Sequence, residues 1–396
     1  MEKKVGCVIA YGKKHTNYGT SLVGYALIKK IQQLGYSVEV INYIKQFTFM
    51  QKVNWIINSL RCGMGKQIMK RLAVRKNLKN NPAYAKNISV RTNTVYEYKK
   101  KKLIPIFKDY KGFDALQAGS RNYDVVVVGS DQVWLPHGLP TKFFNLLFVD
   151  DNVRKVAYAS SFGVSEIPKF QHEATGKYLD RFYKISVREQ NGKKIVDSLS
   201  NNTAEVVADP TMLLTREEWE KEISENISAS TEENKKIAEK GGYIFCYFLG
   251  SNSDARKAAM ELKKETNLPI ITLRHMDEYV ETDEQFGDEA PYSVDANDFI
   301  RYIANADYVC TDSFHCTVFS ILFHKKFMTF YRFTQTSKTG RNSRIDSLFE
   351  LTKISKSHIF KGDISGIFES ISWDTVDEQI NILRNNSIRF LEDSLK

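Results

Sequence analysis

A chain of 396 residues, 42% hydrophobic and 26% charged with only eight prolines, has the make-up of a globular protein and the length for two cores rather than one. No apolar run reaches bilayer length, and the apolar part of MEKKVGCVIAYG is too short for a signal peptide, so neither a spanning helix nor export is expected. The net charge of +10 sits in one place: residues 45–111 hold 17 Lys and Arg against two acids, Glu97 and Asp109, leaving 40 basic against 45 acidic residues elsewhere.

Residues 5–11 form a first apolar strand leading into KKHTNYGTSL. Leu22, Ala26, Leu27 and Ile31 then recur at helical spacing up to Gly35, and VEVINY (38–43) is a second strand. This β-loop-α-β unit opens a doubly wound sheet. Its loop has a single glycine and no GxGxxG, which argues against a dinucleotide. Asn17 and Gly19 at the helix start read either as part of a backbone-lined acceptor pocket or as an ordinary tight turn. Residues 44–112 break the rhythm with a helix-like piece (Val53, Ile56, Ile57, Leu60), the basic stretch and a cluster at Lys99, Lys100, Lys101 and Lys102. The segment reads either as a solvated helical excursion or as a surface for anionic lipid headgroups or a diphosphate-linked acceptor. No recognised motif accompanies the charge, so nucleic acid is not expected.

The sheet resumes at YDVVVV (123–128), a β-branched run suited to burial on both faces. It delivers Asp131 and Gln132 as candidate ligands for sugar hydroxyls, with Trp134 as an apolar floor; the alternative is a capped turn on a core tryptophan. After strands at 156–160 and 185–187 comes Arg188, placed for bidentate binding of a carboxylate or phosphate, or for pairing with a nearby acid. A short strand (206–208) precedes Asp209 and Pro210, and the charged stretch 215–242 marks a domain boundary. A second αβ series follows, with strands at 243–249, 269–273, 308–310 and 327–331 and an acidic loop over 275–293. Five scattered cysteines without CxxC spacing, three in strand-like runs, are expected as buried thiols in a reducing cytoplasm.

Residues 308–319, YVCTDSFHCTVF, read as strand, polar turn and helix. That places Asp312, Ser313 and His315 at the carboxyl edge of a parallel sheet, where such sheets bind ligands and a helix start offers N–H groups to an anion. A histidine there can move protons on a bound anionic substrate; alternatively Asp312 or Ser313 simply caps the helix. At the end, Val376, Ile380 and Leu383, then Ile388, Leu391 and Leu395, describe an amphipathic helix, with a polar interval at 385–387 as a candidate break.

Taken together, NYGTSLVGYAL, LGYSVEVINY, DVVVVGSDQVW, YASSFG, SVRE, VVADPTMLL and TDSFHCTVFSILF resemble the polysaccharide pyruvyl transferase family from about residue 5 to about residue 351. The basic excursion is the least matched part. The resemblance implies a GT-B-like α/β fold: two Rossmann-like domains facing a cleft and a C-terminal helix returning to the first. The expected division is 1–214 (acceptor side, with the excursion 45–111), 215–372 (donor side) and the helix 373–396. It implies transfer of the enolpyruvyl group of phosphoenolpyruvate to a sugar or lipid-linked oligosaccharide as a cyclic ketal, with phosphate released and no metal or further cofactor required. On that pattern Arg188 and His315 bind the donor with Ser313 and Phe314, while His315 acts as general acid and Asp312 as its partner or a base. Asn17, Gly19, Asp131 and Gln132 face the acceptor. The chain has Ser313–Phe314 where some relatives have arginine–leucine, and Cys316 where glycine is common; Arg332, Arg341 and Arg344 are candidates to supply the missing charge. A cytoplasmic enzyme, peripheral to the membrane through 45–111, is the expectation. The rival readings are a glycosyltransferase using a nucleotide sugar and a non-catalytic glycan binder.

Overall fold

The computed structural model describes residues 3–13, 15–226, 231–276, 279–332 and 342–396, so Arg341 lies outside the described residues. The first half contains β1 (Lys4–Val8), α1 (Tyr18–Gln33), β2 (Ser37–Ile44), α2 (Phe49–Arg61), α3 (Gly65–Asn80), α4 (Pro82–Lys102), β3 (Phe107–Lys111), α5 (Phe113–Ser120), β4 (Val125–Val128), β5 (Arg154–Ser160), α6 (His172–Leu179), β6 (Lys184–Val187), α7 (Gln190–Leu199) and β7 (Ala204–Val206). The second contains α8 (Arg216–Glu225), α9 (Glu232–Lys240), β8 (Ile244–Tyr247), α10 (Ser253–Thr266), β9 (Ile270–Thr272), α11 (Ala296–Asn305), β10 (Tyr308–Thr311), α12 (Phe314–Leu322), β11 (Lys326–Thr329), α13 (Ser343–Thr352) and α14 (Trp373–Leu395).

The strands form two parallel sheets, ordered β3-β2-β1-β4-β5-β6-β7 and β11-β10-β8-β9. All four valines of β4 are buried, as a strand covered on both faces requires. In each sheet the winding direction reverses once, between β1 and β4 in the first and between β8 and β10 in the second. Ligands of doubly wound sheets bind outside the carboxyl ends of the strands at such reversals.

An apolar cluster joins the two halves: Tyr18, Leu22 and Ala26 of α1 meet Phe299 and Ile303 of α11 and Phe319 of α12. The Tyr18 ring stacks on Phe299 at 4.8 Å, and its hydroxyl donates to the Val294 carbonyl at 3.1 Å. Helix α14 places Val376 and Ile380 in this cluster and Phe390, Leu391 and Leu395 in the core of the first sheet, so the C-terminal helix does return to it. The polar interval at 385–387 does not break the helix. The Ser387 hydroxyl donates to the Leu383 carbonyl at 2.6 Å and accepts from Ala208 N at 2.8 Å, which satisfies it in the interior.

One expectation is corrected. The basic excursion 45–111 is not uniformly solvated: it folds as three helices and an edge strand, and α4 ties the halves together. Arg91, 1% exposed, donates to the carbonyls of Pro291 and Tyr292 at 2.8 Å each, and Tyr84 reaches Met276 O. Lys99, expected in an exposed cluster, is buried and donates to the carbonyls of Gly12 and His15, while Lys102 pairs with Glu222 at 2.6 Å. The charged stretch 215–242 likewise contains packed helices: Thr215 and Glu218 make a capping box at the start of α8, and Trp219 is fully buried in the shared cluster. Among the described residues, no helix is long and apolar enough to cross a membrane.

Candidate active site

Because each sheet is parallel, its loops of one kind gather at one edge, and the two edges face each other across a pocket of about 150 Å³. From the first sheet, the loop after β1 and the start of α1 supply His15, Asn17 and Thr20, and the loop after β4 supplies Asp131 and Gln132. From the second, Leu249 follows β8, Ser313, Phe314 and His315 follow β10, and Arg332 follows β11; Arg344 of α13 completes the lining. The pocket thus lies where both winding reversals meet.

Two helix starts point into it. Asn17 caps α1, its side chain accepting from Gly19 N at 3.0 Å, and Ser313 caps α12, its hydroxyl accepting from Cys316 N at 3.4 Å. The positive ends of both helices therefore converge on the space that Arg332 and Arg344 also line. Phe314 lies beneath two guanidinium groups, with Arg188 at 5.0 Å and Arg344 at 5.7 Å from its ring centroid. Burial, and then the neighbouring Arg188, push Arg344 down to about 9, against the pull of Glu189 and Asp131. An anion in the pocket would relieve that crowding of positive charge.

Behind the pocket wall runs a buried chain of charges. Arg188 Nη1 donates to Asp209 Oδ2 at 2.9 Å and Nη2 to Asp131 Oδ1 at 3.3 Å, while Nε lies 3.6 Å from Glu189 Oε2. Burial alone would raise Asp131, but Arg188, then His315 and Arg344, outweigh it and, with the Thr20 hydroxyl, hold it at about 2. Burial opposes ionisation of Asp209 too, yet His315, Arg188 and Thr211 keep its carboxyl well below the usual carboxylate range. Burial raises Glu189, whose other oxygen accepts from the Ser161 hydroxyl at 2.7 Å. Asp131 adopts φ +82°, a conformation that costs energy for a non-glycine residue and recurs at functional sites.

The structure brings Asn17, Asp131, Gln132, Ser313, Phe314 and His315 together in the pocket lining. It places the others differently. The partner of His315 is Asp209, whose Oδ2 lies 3.6 Å from Nε2, and not Asp312. Asp312 is occupied elsewhere: its carboxylate accepts from Leu249 N at 2.6 Å and Gly250 N at 2.8 Å, and its carbonyl from Arg332 at 3.0 Å, so it fixes the loop after β8. Arg188 is engaged by two carboxylates and does not line the pocket, where Arg332 and Arg344 are the cations. Gly19 has its N–H taken by Asn17 and serves a different need, since a Cβ there would stand 2.1 Å from His315 Nδ1. Trp134 is core, packed against Phe162 at 5.0 Å with its N–H on Phe144 O. Cys316 is fully buried in the shared cluster.

Sequence reasoning left out His15, Thr20, Asp209 and Leu249. Asp209 carried a signal, an acid directly after a short strand in VVADP, the same cue that drew attention to Asp312. Among the described residues no group of three or more His, Cys, Asp or Glu is placed to hold a metal.

The chain is similar to several known structures. UDP-GlcNAc 2-epimerase from Neisseria meningitidis, solved bound to UDP-GlcNAc, matches over 99% of each chain at 8% identity with a TM-score of 0.51. UDP-N-acetylglucosamine 2-epimerase from Rickettsia bellii matches over 100% of this chain and 97% of its own at 10% identity and a TM-score of 0.46. A glycosyltransferase from Rickettsia africae ESF-5 matches over 100% and 99% at 12% identity and a TM-score of 0.45. At such identities the likeness to the Neisseria epimerase establishes a GT-B-like fold and nothing about chemistry. No curated protein matches the chain. The sequence pattern of polysaccharide pyruvyl transferases, however, matches residues 17–332, a span containing every strand of the two sheets except β1 and nine of the eleven residues that line the pocket, and the chain belongs to the polysaccharide pyruvyl transferase family.

Proposed function

We propose that the pocket binds phosphoenolpyruvate and that the protein transfers its enolpyruvyl group to two hydroxyls of a sugar in a cell-surface polysaccharide or its lipid-linked precursor. The product is a pyruvate ketal, and phosphate is released. One observation carries this reading: two helix N-termini, one from each half, converge with Arg332 and Arg344 on a single small pocket. A compact anion with a carboxylate and a phosphate suits such a site.

The reaction adds a proton to the methylene carbon, breaks the bond between C2 and the phosphate oxygen, and forms two C–O bonds to C2. Each hydroxyl gives up its proton; the two together match the proton gained by the methyl group and the one carried off with phosphate. His315, whose buried Nε2 makes no hydrogen bond among the described residues and lies 3.6 Å from Asp209 Oδ2, is the proton-transfer group. Asp131, ionised and bonded to Thr20 at 2.9 Å, accepts from the acceptor hydroxyls with Gln132 beside it. Arg188 positions both carboxylates from behind.

Titration calorimetry with phosphoenolpyruvate tests the donor. The parent binds, while Arg344→Ala and His315→Ala weaken binding by about tenfold or more, the usual loss for a charge-assisted contact. Absence of heat with phosphoenolpyruvate, together with heat from a nucleotide sugar, would shift the function to glycosyl transfer.

A further inference from the structure

Helix α2 is mounted with its apolar side outward. Phe49, Val53, Ile56, Ile57 and Leu60 recur at the helical period, which in a surface helix marks the face turned to the core. Here the buried residue of α2 is Ser59. Its neighbour Asn58 holds the helix down by a polar contact, donating to the carbonyls of Pro136 and His137 at 3.3 Å each and accepting from Gln171 at 2.8 Å. The apolar stripe faces solvent: Phe49 is 78% exposed, Leu60 55% and Ile57 50%. Of the twelve large apolar side chains left exposed among the described residues, seven lie between Phe49 and Leu72, so this is a patch and not scatter.

What covers the patch follows from its charge. Residues 49–80 contain eight Lys and Arg and no acid in the sequence, and Lys52, Arg61, Lys76 and Lys79 are exposed. A two-fold dimer through this face would set that charge against itself. An anionic bilayer would both cover the stripe and neutralise the cations, the pattern of helices that lie in a membrane interface. We propose that α2 and α3 dock the protein on an anionic membrane surface. Of the α4 cations, Lys99, Lys101 and Lys102 take no part, because they are spent on contacts inside the molecule.

The placement is consistent with an acceptor arriving from lipid. Helix α2 follows β2, leaves the carboxyl edge of the first sheet and packs on the turn Pro136–Thr141, just beyond Asp131 and Gln132. The docking face and the pocket therefore share one edge of the molecule. That the acceptor is lipid-linked rests on the pyruvyl-transfer reading; the docking itself does not.

Co-sedimentation of the whole protein with phosphatidylcholine vesicles, with and without phosphatidylglycerol, tests it without donor or acceptor. The parent pellets with anionic vesicles at low salt and is released by high salt. Lys76→Gln with Lys79→Gln lowers partitioning about thirtyfold, a factor of about five per cation. Ile56→Ser, Ile57→Ser and Leu60→Ser together lower it more than about tenfold. All five side chains are exposed, so the variants melt as the parent does, and a lowered melting temperature is not an explanation for lost binding. Equal pelleting with neutral vesicles, none with anionic ones, or unchanged binding by both variants overturns the proposal. A parent dimer that the triple serine variant dissolves also overturns it and assigns the face to a second copy.

Discussion

Arg188→Met is the sharpest probe of the buried charge chain. Methionine approximates the length of the arginine stem but leaves Asp131 and Asp209 without the guanidinium that bonds both, beside a third buried carboxyl, Glu189. Breaking a buried pair from one side costs about 3–5 kcal/mol. In the parent, Asp131 is depressed from 3.8 to about 2, which contributes roughly 2 kcal/mol that is present above the unfolded value and lost as pH falls through the folded one. In the variant that contribution shrinks. With Arg188 gone, only His315 and Arg344 oppose the burial of these carboxyls, so their folded values rise toward or above the unfolded ones and the variant loses less than the parent as pH falls. Urea unfolding followed by circular dichroism, run at about pH 7 and about pH 5, reads both effects. The expected result is a deficit of a few kcal/mol at neutral pH that shrinks on acidification. A variant as stable as the parent, or a deficit constant with pH, would refute the reasoning.

Gly19→Ala places a methyl 2.1 Å from His315 Nδ1, and φ at this position gives alanine no backbone penalty. Phosphate release falls by about a hundredfold through displacement of the imidazole, and the overlap with the buried His315 lowers stability by about 1–3 kcal/mol, read as a lower melting temperature. Asp209→Asn and Asp312→Asn separate two roles. The first shifts the pH profile of turnover by altering the neighbour of His315; the second leaves the profile in place and lowers stability by about 1–3 kcal/mol through its bonds to Leu249 and Gly250. Arg91→Ala strands the carbonyls of Pro291 and Tyr292 and lowers the unfolding free energy by about 2–4 kcal/mol, measured by the denaturant midpoint. Cys62 is the one cysteine of the five that is not buried, so a thiol reagent labels about one group per native chain and five after unfolding.

Much of the fold was legible in the sequence, because a strand buried on both faces must be apolar throughout and few stretches besides 125–128 and 244–247 satisfy that demand. The same applies to the pocket's edge: Asp131, Ser313 and His315 were identified by standing just past such strands, and a parallel sheet gathers whatever stands there. Local pattern could not assign partners. Asp312 is three residues from His315 in sequence but turns toward the loop after β8, whereas Asp209 comes from the other sheet and reaches the imidazole only because the two edges face each other. Periodicity was equally blind to direction. It identified the stripe of α2 and that of α14 alike, yet α14 turns its stripe inward against both cores, and α2 turns its own outward to solvent. Helical spacing states that a helix has two unlike faces; which of them meets protein is settled only by what the rest of the chain brings alongside.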